Sequence, residues 1–181
     1  MDLSSFTEKQ KFSQTWLWML IIFTVLLTTV IFGAGIYVQM IKGRSFGNNP
    51  MSDTGLIIVS SVIMAFNIAL LWLFGAGNLK TLIDERGIHY RFFPFHLRFR
   101  HIGWDELESV EVITYKPIRD YGGWGIRVGK AGKAYNISGD KGLQLVFRNR
   151  KRLVIGTNRA EELKQFLVSA IFSARKYIAA S

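Results

Sequence analysis

At 181 residues, with a formal net charge of +10 and no cysteine, the chain is basic and excludes disulfide frameworks and thiolate metal centres. The charge is uneven: residues 1–77 hold 4 Lys/Arg and 3 Asp/Glu, whereas residues 78–181 hold 19 and 10, a net +9. That second part is long enough to bury one core and too short for two.

The first element is a run of 25 residues, Trp16 to Met40, without a charge; a second of 23, Gly55 to Gly77, follows. At about 1.5 Å rise per residue, each helix outreaches the roughly 30 Å hydrocarbon core of a bilayer. The sequence therefore predicts an N-terminal tail and a two-span transmembrane hairpin over residues 1–77, with spans at about 16–40 and 55–77. The first run continues past Gly33-Ala34-Gly35 and outruns the roughly 7 to 15 apolar residues of a cleavable signal, which argues against that reading. Lys9 and Lys11 precede the first span, Lys42 and Arg44 lie in the connector, and Lys80, Arg86, Arg91, Arg98 and Arg100 follow the second. The flanks outweigh the connector, so the expected state is a multi-pass integral membrane protein with cytoplasmic N- and C-termini. Within the second span, Ser61, Ala65 and Ala69 share a face suited to close helix packing, either inside the hairpin or between copies. Asn67 needs a polar partner in hydrocarbon, and Thr24, Thr28 and Thr29 are the candidates.

From residue 78 the periodicity turns from helical to alternating. His89–Phe93 and His96–Arg100 each alternate mainly apolar with mainly basic side chains around Pro94, which predicts a β-hairpin with a cationic face. Its tip would be Phe92, Phe93, Pro94 and Phe95. Further strands are expected at Leu79–Ile83, Val110–Tyr115, Trp124–Val128, Ala134–Ile137, Leu143–Phe147 and Arg152–Ile155, the spacing of a small antiparallel barrel or sandwich. Trp124 is expected in the core near Phe166 or Leu167. Asn158, with Glu161 three positions on, reads as the cap of a closing helix whose apolar stripe runs from Leu163 through Phe166, Leu167, Ala170, Ile171, Ala174 and Tyr177 to Ile178.

The runs Gly122-Gly123-Trp124-Gly125-Ile126-Arg127, Ala134-Tyr135-Asn136-Ile137-Ser138-Gly139 and Ile155-Gly156-Thr157, followed by Glu161-Glu162-Leu163, resemble those of bacterial pleckstrin-homology-like (PH-like) domains, which are often attached to transmembrane hairpins. The resemblance covers about residues 79–175. It implies a mainly β PH-like barrel of seven strands over residues 78–181, closed by a C-terminal helix and carrying no activity of its own. The turn Asp84-Glu85-Arg86-Gly87 is acidic where the phosphoinositide-binding type is basic, so the resemblance does not extend to inositol phosphate recognition.

Chemistry-bearing motifs are sparse. The glycines between Gly122 and Gly142 lack the Gly-Lys-Ser/Thr of a phosphate loop. His89, His96 and His101 lack metal-ligand spacing and have arginines beside them. Asp105, Glu106, Glu108 and Glu111 form an acidic cluster without an oriented carboxylate pair. No catalytic, cofactor or metal site is therefore expected. The surface expected to meet the lipid bilayer and its anionic headgroups is His89, Arg91, Phe93, Arg98 and Arg100; nucleic acid is disfavoured, because the basic domain follows the second span too closely to leave the membrane. The functional expectation is a membrane-anchored, non-catalytic docking or scaffold module for a protein partner. The alternative is an assembly factor or accessory subunit of a membrane complex, by general similarity to the two-span organisation of photosystem assembly proteins.

Overall fold

The computed structural model describes residues 5–129 and 131–178, with side chains through Ser169 except that of Lys130. The chain divides into two compact units, one of residues 13–75 and one in which residues 1–12 join residues 76–181.

The first unit is helical. Helix α1, Thr15–Ile36, continues as a π-helical turn, Tyr37–Ile41, and α2 spans Asp53–Ala76. Both are long and apolar enough to cross a membrane, and only 11% of the apolar window in each is buried. That exposure separates them from the core helices of a water-soluble fold, which hide their apolar side chains. They pack on each other through Asn67, whose Nδ2 donates to Thr28 Oγ1 at 2.9 Å, the partnership expected of a lone amide there. Gly35 lets Phe46 and Leu56 approach, and Gln39 ties the end of the first helix to Asp53 Oδ1 at 2.7 Å. Ser61, Ala65 and Ala69 point outward instead of into this contact, because the seam is set by the face that carries Leu56 and Asn67.

The second unit has nine strands among its described residues, in two sheets. Sheet A is an antiparallel meander of β1 (Phe6–Lys11), β2 (Asn78–Asp84), β3 (Gly87–Phe93) and β4 (Arg100–Gly103). Strand β1 is the largest departure from expectation, since residues 6–11 were read as tail. It pairs with β2 along its whole length, from Phe6 opposite Ile83 to Lys11 opposite Asn78. The helical pair thus interrupts the sheet: Lys11 and Asn78 are cross-strand neighbours in space, with both helices between them in sequence.

Sheet B runs β5–β8–β9–β7–β6, built from β5 (Leu107–Thr114), β6 (Gly125–Gly129), β7 (Gly132–Asn136), β8 (Lys141–Phe147) and β9 (Arg152–Gly156). Each strand expected beyond the first hairpin is present. The sheets do not close into the expected barrel, and β7 runs parallel to β9, which an all-antiparallel design forbids. Parallel pairing arises because the β6–β7 hairpin, with the short helix α3 (Pro117–Tyr121) before it, is spliced between β5 and β8 and joins the sheet on the outer side of β9.

The core lies between the sheets. Phe6, Leu79, Ile83, Ile88, Tyr90 and Phe92 meet Tyr135, Leu143, Leu145, Leu153 and Ile155, and Leu163 and Leu167 of helix α4 (Ala160–Ile178) cover one side. The rest of the expected α4 stripe, from Ala170 on, lies outside the described side chains. Trp124 is half-buried and outside the core; its indole N–H donates to the Gly139 carbonyl at 3.0 Å, because β6 is the far edge strand of sheet B. Nor does Asn158 cap α4 as expected. Its Oδ1 accepts from Ser138 Oγ, and the buried carboxylate of Glu8 on β1 takes over: Oε1 accepts from Asn158 N at 2.8 Å and Oε2 from Thr157 Oγ1 at 2.6 Å. An anion at a helix N-terminus opposes the unpaired N–H groups there. Gln10 adds a bond from Nε2 to the Gly156 carbonyl at 2.7 Å, so β1 is fastened to the end of β9 as well as to β2.

Candidate lipid-facing surface

Alternation decides which side chains sheet A turns outward. Phe6, Glu8 and Gln10 of β1, Leu79, Thr81 and Ile83 of β2, and Ile88, Tyr90 and Phe92 of β3 are buried; the intervening residues form the outer face. Register then sets them in rows. Lys9 is opposite Lys80, and Lys80 is opposite Arg91, which puts three cations side by side across three strands. Directly opposed side chains have Cβ atoms about 4.5–5.5 Å apart, and like charges so placed repel. Among the described residues, none of the three forms an ion pair. Arg91 Nε is buried without a hydrogen-bond partner, and the guanidinium lies 5.1 Å from the Phe99 ring centroid, a cation–π contact. Asp84, at the far end of this face, is committed elsewhere. Its Oδ1 accepts from the backbone N–H of Arg86 and Gly87 and lies 3.4 Å from His89 Nε2. Burial pushes its carboxyl upward, but those N–H groups and His89 outweigh this and leave it below the usual range.

In the next row Lys11 is exposed, Phe93 half-buried and Asn78 buried, its Nδ2 donating to the Ala76 carbonyl at 2.9 Å. It marks the sheet end where the chain runs towards α1 and returns from α2. The segment that follows β3 emerges at this end. It was expected to continue as a strand over residues 96–100, but β4 begins only at Arg100, and residues 94–99 form a loop. The expected apolar tip changes composition accordingly. Phe92 belongs to the core, whereas Phe95 (63% exposed), Leu97 (74%) and Phe99 (46%) project, with Arg98 exposed among them. His96 anchors the loop: it is buried, Nδ1 faces the Phe92 N–H at 3.4 Å, and the ring packs on Tyr90 and Tyr135. Burial, helped by the nearby Arg100 charge, lowers its pKa. The neutral imidazole is thus the form that fits.

Of the five residues expected at a lipid surface, the structure brings His89, Arg91 and Phe93 onto one face and places Arg98 in the adjoining loop. Arg100 does not join them. It is opposite Tyr90, whose side chain points inward, and opens into a cavity between the sheets. His89 lies farther from the loop, beside His101 at 4.5 Å between rings. Sequence reasoning missed Lys9, Lys11 and Lys80 as members of this face. The available signal was the two-residue alternation of Thr7, Lys9 and Lys11, hidden because the intervening Glu8 and Gln10 are polar yet buried. Compared with models of protein families and with curated proteins, the chain matches none.

Proposed function

We propose that this protein is a membrane-anchored, non-catalytic docking module, PH-like in design, that holds a protein partner at the cytoplasmic face of a membrane. The observation that carries this reading is the insertion of two apolar helices between the paired strands β1 and β2. Strands that pair must lie on one side of a membrane, so helices between them cross as a hairpin or not at all. The links are short: Lys11 is four residues from the start of α1, and Asn78 is two from the end of α2. At about 3.3–3.6 Å per residue, the sheets stay at the bilayer surface. The cations of sheet A outnumber Lys42 and Arg44 of the connector, which favours the cytoplasmic side for the sheets. The row Lys9–Lys80–Arg91 and the loop with Phe95, Leu97 and Phe99 suit an anionic headgroup layer, where each cation contributes about 1 kcal/mol and aromatic rings enter the boundary. The side chains gathered there are cations and aromatics, with no nucleophile beside a base, which favours binding over chemistry.

Location is already fixed by the anchor, so the rest of the domain is free to recruit. Strand β6 is the terminal strand of sheet B, with Ile126 (37% exposed) and Val128 (75%) open to a partner strand. A photo-reactive side chain at Val128 in native membranes should give a discrete cross-linked species that one at Lys164, exposed on α4, does not. No cross-link at Val128, or equal cross-linking at both sites, would remove the β6 edge as the docking element. If the captured protein is itself membrane-embedded and stoichiometric, the accessory-subunit alternative gains. For the placement, cysteines introduced at Asn48 and Asn149 should differ: an impermeant maleimide should label the first from outside intact cells and spare the second. The reverse pattern would invert the topology.

A further inference from the structure

A cavity of about 630 Å³ opens between β3–β4 of sheet A and the β6–β7 and β8–β9 hairpins of sheet B. Its volume falls within the range of ligand sites. Five of its lining residues are cations, namely Arg100, Lys133, Arg150, Lys151 and Arg152, contributed by three separate parts of the chain. None forms an ion pair among the described residues. Among the described lining residues the one carboxylate is Glu106, and its Oε1 is already engaged, accepting from the Gly103 N–H at 2.9 Å. All five cations are exposed. Behind them the wall is apolar and aromatic, with Tyr90, Tyr135 and Phe147; burial, reinforced by Tyr135, pushes the Tyr90 hydroxyl up to about 12, so it is neutral at physiological pH.

Two details show what kind of occupant fits. Val128, the most exposed apolar residue of the β6 edge, is also part of the lining, so the cavity is continuous with the strand edge assigned above to docking. The cations are spread over β4, β7, the β8–β9 turn and the start of β9, which matches charges distributed along a chain better than the single point charge of a small anion. Arg150 adds a third point. It has φ +62, a left-handed conformation that favours glycine, yet the turn places an arginine there.

We propose that this cavity takes an acidic, extended segment of the protein partner, with carboxylates over the five cations and an apolar side chain against Tyr135 and Phe147. This rests on the docking reading and deepens it by giving the partner's chemistry. Charge complementarity supplies the rate and selectivity of such a contact, with strong salt dependence.

The test uses the full-length protein in nanodiscs of neutral phosphatidylcholine and a fluorescent peptide, Glu-Phe-Asp-Glu-Leu-Asp, followed by anisotropy. Saturable binding that weakens with salt is expected, and a Lys151→Glu, Arg152→Glu double variant should weaken it by at least about tenfold. Arg150→Gly should weaken it roughly two- to fivefold, the range of one exposed ion pair, while the melting temperature holds or rises because glycine relaxes the left-handed turn. That pairing separates lost charge from lost folding. Three results would each overturn the proposal: no saturable binding, binding unchanged in the double variant, or competition by inorganic pyrophosphate at matched ionic strength that marks a small-anion site. If the peptide fails while Val128 still cross-links a partner in membranes, the acidic preference falls and the docking reading stands; if cross-linking fails as well, both fall.

Discussion

The cation row on sheet A should cost stability when no anion faces it, and Lys80 is the place to measure that. It is flanked by Lys9 on β1 and Arg91 on β3, so it takes part in both repulsions. With flexible stems the charged heads separate to about 7 Å, where two unit charges interact by about 0.6 kcal/mol in water and about 2.4 at an effective dielectric of 20. Lys9 is exposed and Lys80 only half-buried, so the lower figure governs, and the two pairs together amount to about 1 kcal/mol. Lys80→Met keeps the unbranched stem and removes the ammonium alone. The variant in neutral nanodiscs at low salt should be more stable by about 1 kcal/mol, a rise of roughly 3–5 °C for a domain of this size. Raising the salt should stabilise the parent more than the variant, since screening relieves the same repulsion. Exchanging neutral for anionic lipid should likewise favour the parent. The reasoning fails if Lys80→Met melts at or below the parent in low salt, or if its gain survives at high salt.

Other consequences are as specific. Glu8→Ala leaves the Asn158 N–H and Thr157 hydroxyl without their acceptor and should destabilise the domain by about 2–3 kcal/mol in denaturant titrations, while Glu8→Gln, which keeps the shape, should cost less. His96 has a depressed pKa in the fold, so its contribution is complete above its ordinary value of 6.5 and is lost as pH falls below that value, where the unfolded chain binds the proton first. Thermal melts should therefore show stability dropping from pH 7 to 5, with a smaller drop in His96→Gln; a parent and variant that track each other would refute the assignment. Because Lys11 and Asn78 are cross-strand partners, replacing residues 13–76 by Asn-Gly should close β1 and β2 with a two-residue turn and yield a folded, water-soluble domain. Residues 78–181 alone, lacking β1, should be far less stable by the same melt, and equal stability would show that β1 is dispensable.

Most strands of sheet B were legible because they follow the alternation and turn chemistry that a half-buried strand requires: Leu143–Phe147 emerges as β8, which starts two residues earlier, and Arg152–Ile155 as β9, which ends one residue later. The helices were legible for a simpler reason, since a charge-free run of that length has few other uses. Arg100 went astray because alternation was extended through residues 94–99, which form a loop, and this shifts the face of every residue behind it; Phe92 went astray because it was given to the hairpin tip, whereas the alternation of β3 turns it into the core. The β6–β7 hairpin was seen as two strands, but nothing local tells a hairpin which edge it will join; only the tertiary placement beside β9 makes it parallel and opens the cavity.

Strand β1 was illegible on physical grounds that also explain its use. A strand that buries Glu8 and Gln10 looks like solvated tail, because binary patterning assumes that buried means apolar. Those two side chains are buried against the β9–α4 junction, 146 to 150 residues away in sequence, and their hydrogen bonds offset the desolvation. Such bonds are directional in a way that apolar contacts are not. They hold the segment just before the first apolar helix to the segment that starts the last helix, so the sheet domain completes only once the chain has passed through both apolar helices. An anchor carried as a simple N-terminal extension could flex independently of its cargo. Here the two apolar helices leave sheet A at its β1–β2 edge, through two short links on neighbouring strands, so the sheet is joined to them at two points instead of one. Under the docking function proposed above, two links restrict rotation about a linker as well as distance, which lowers the entropy lost when a partner binds.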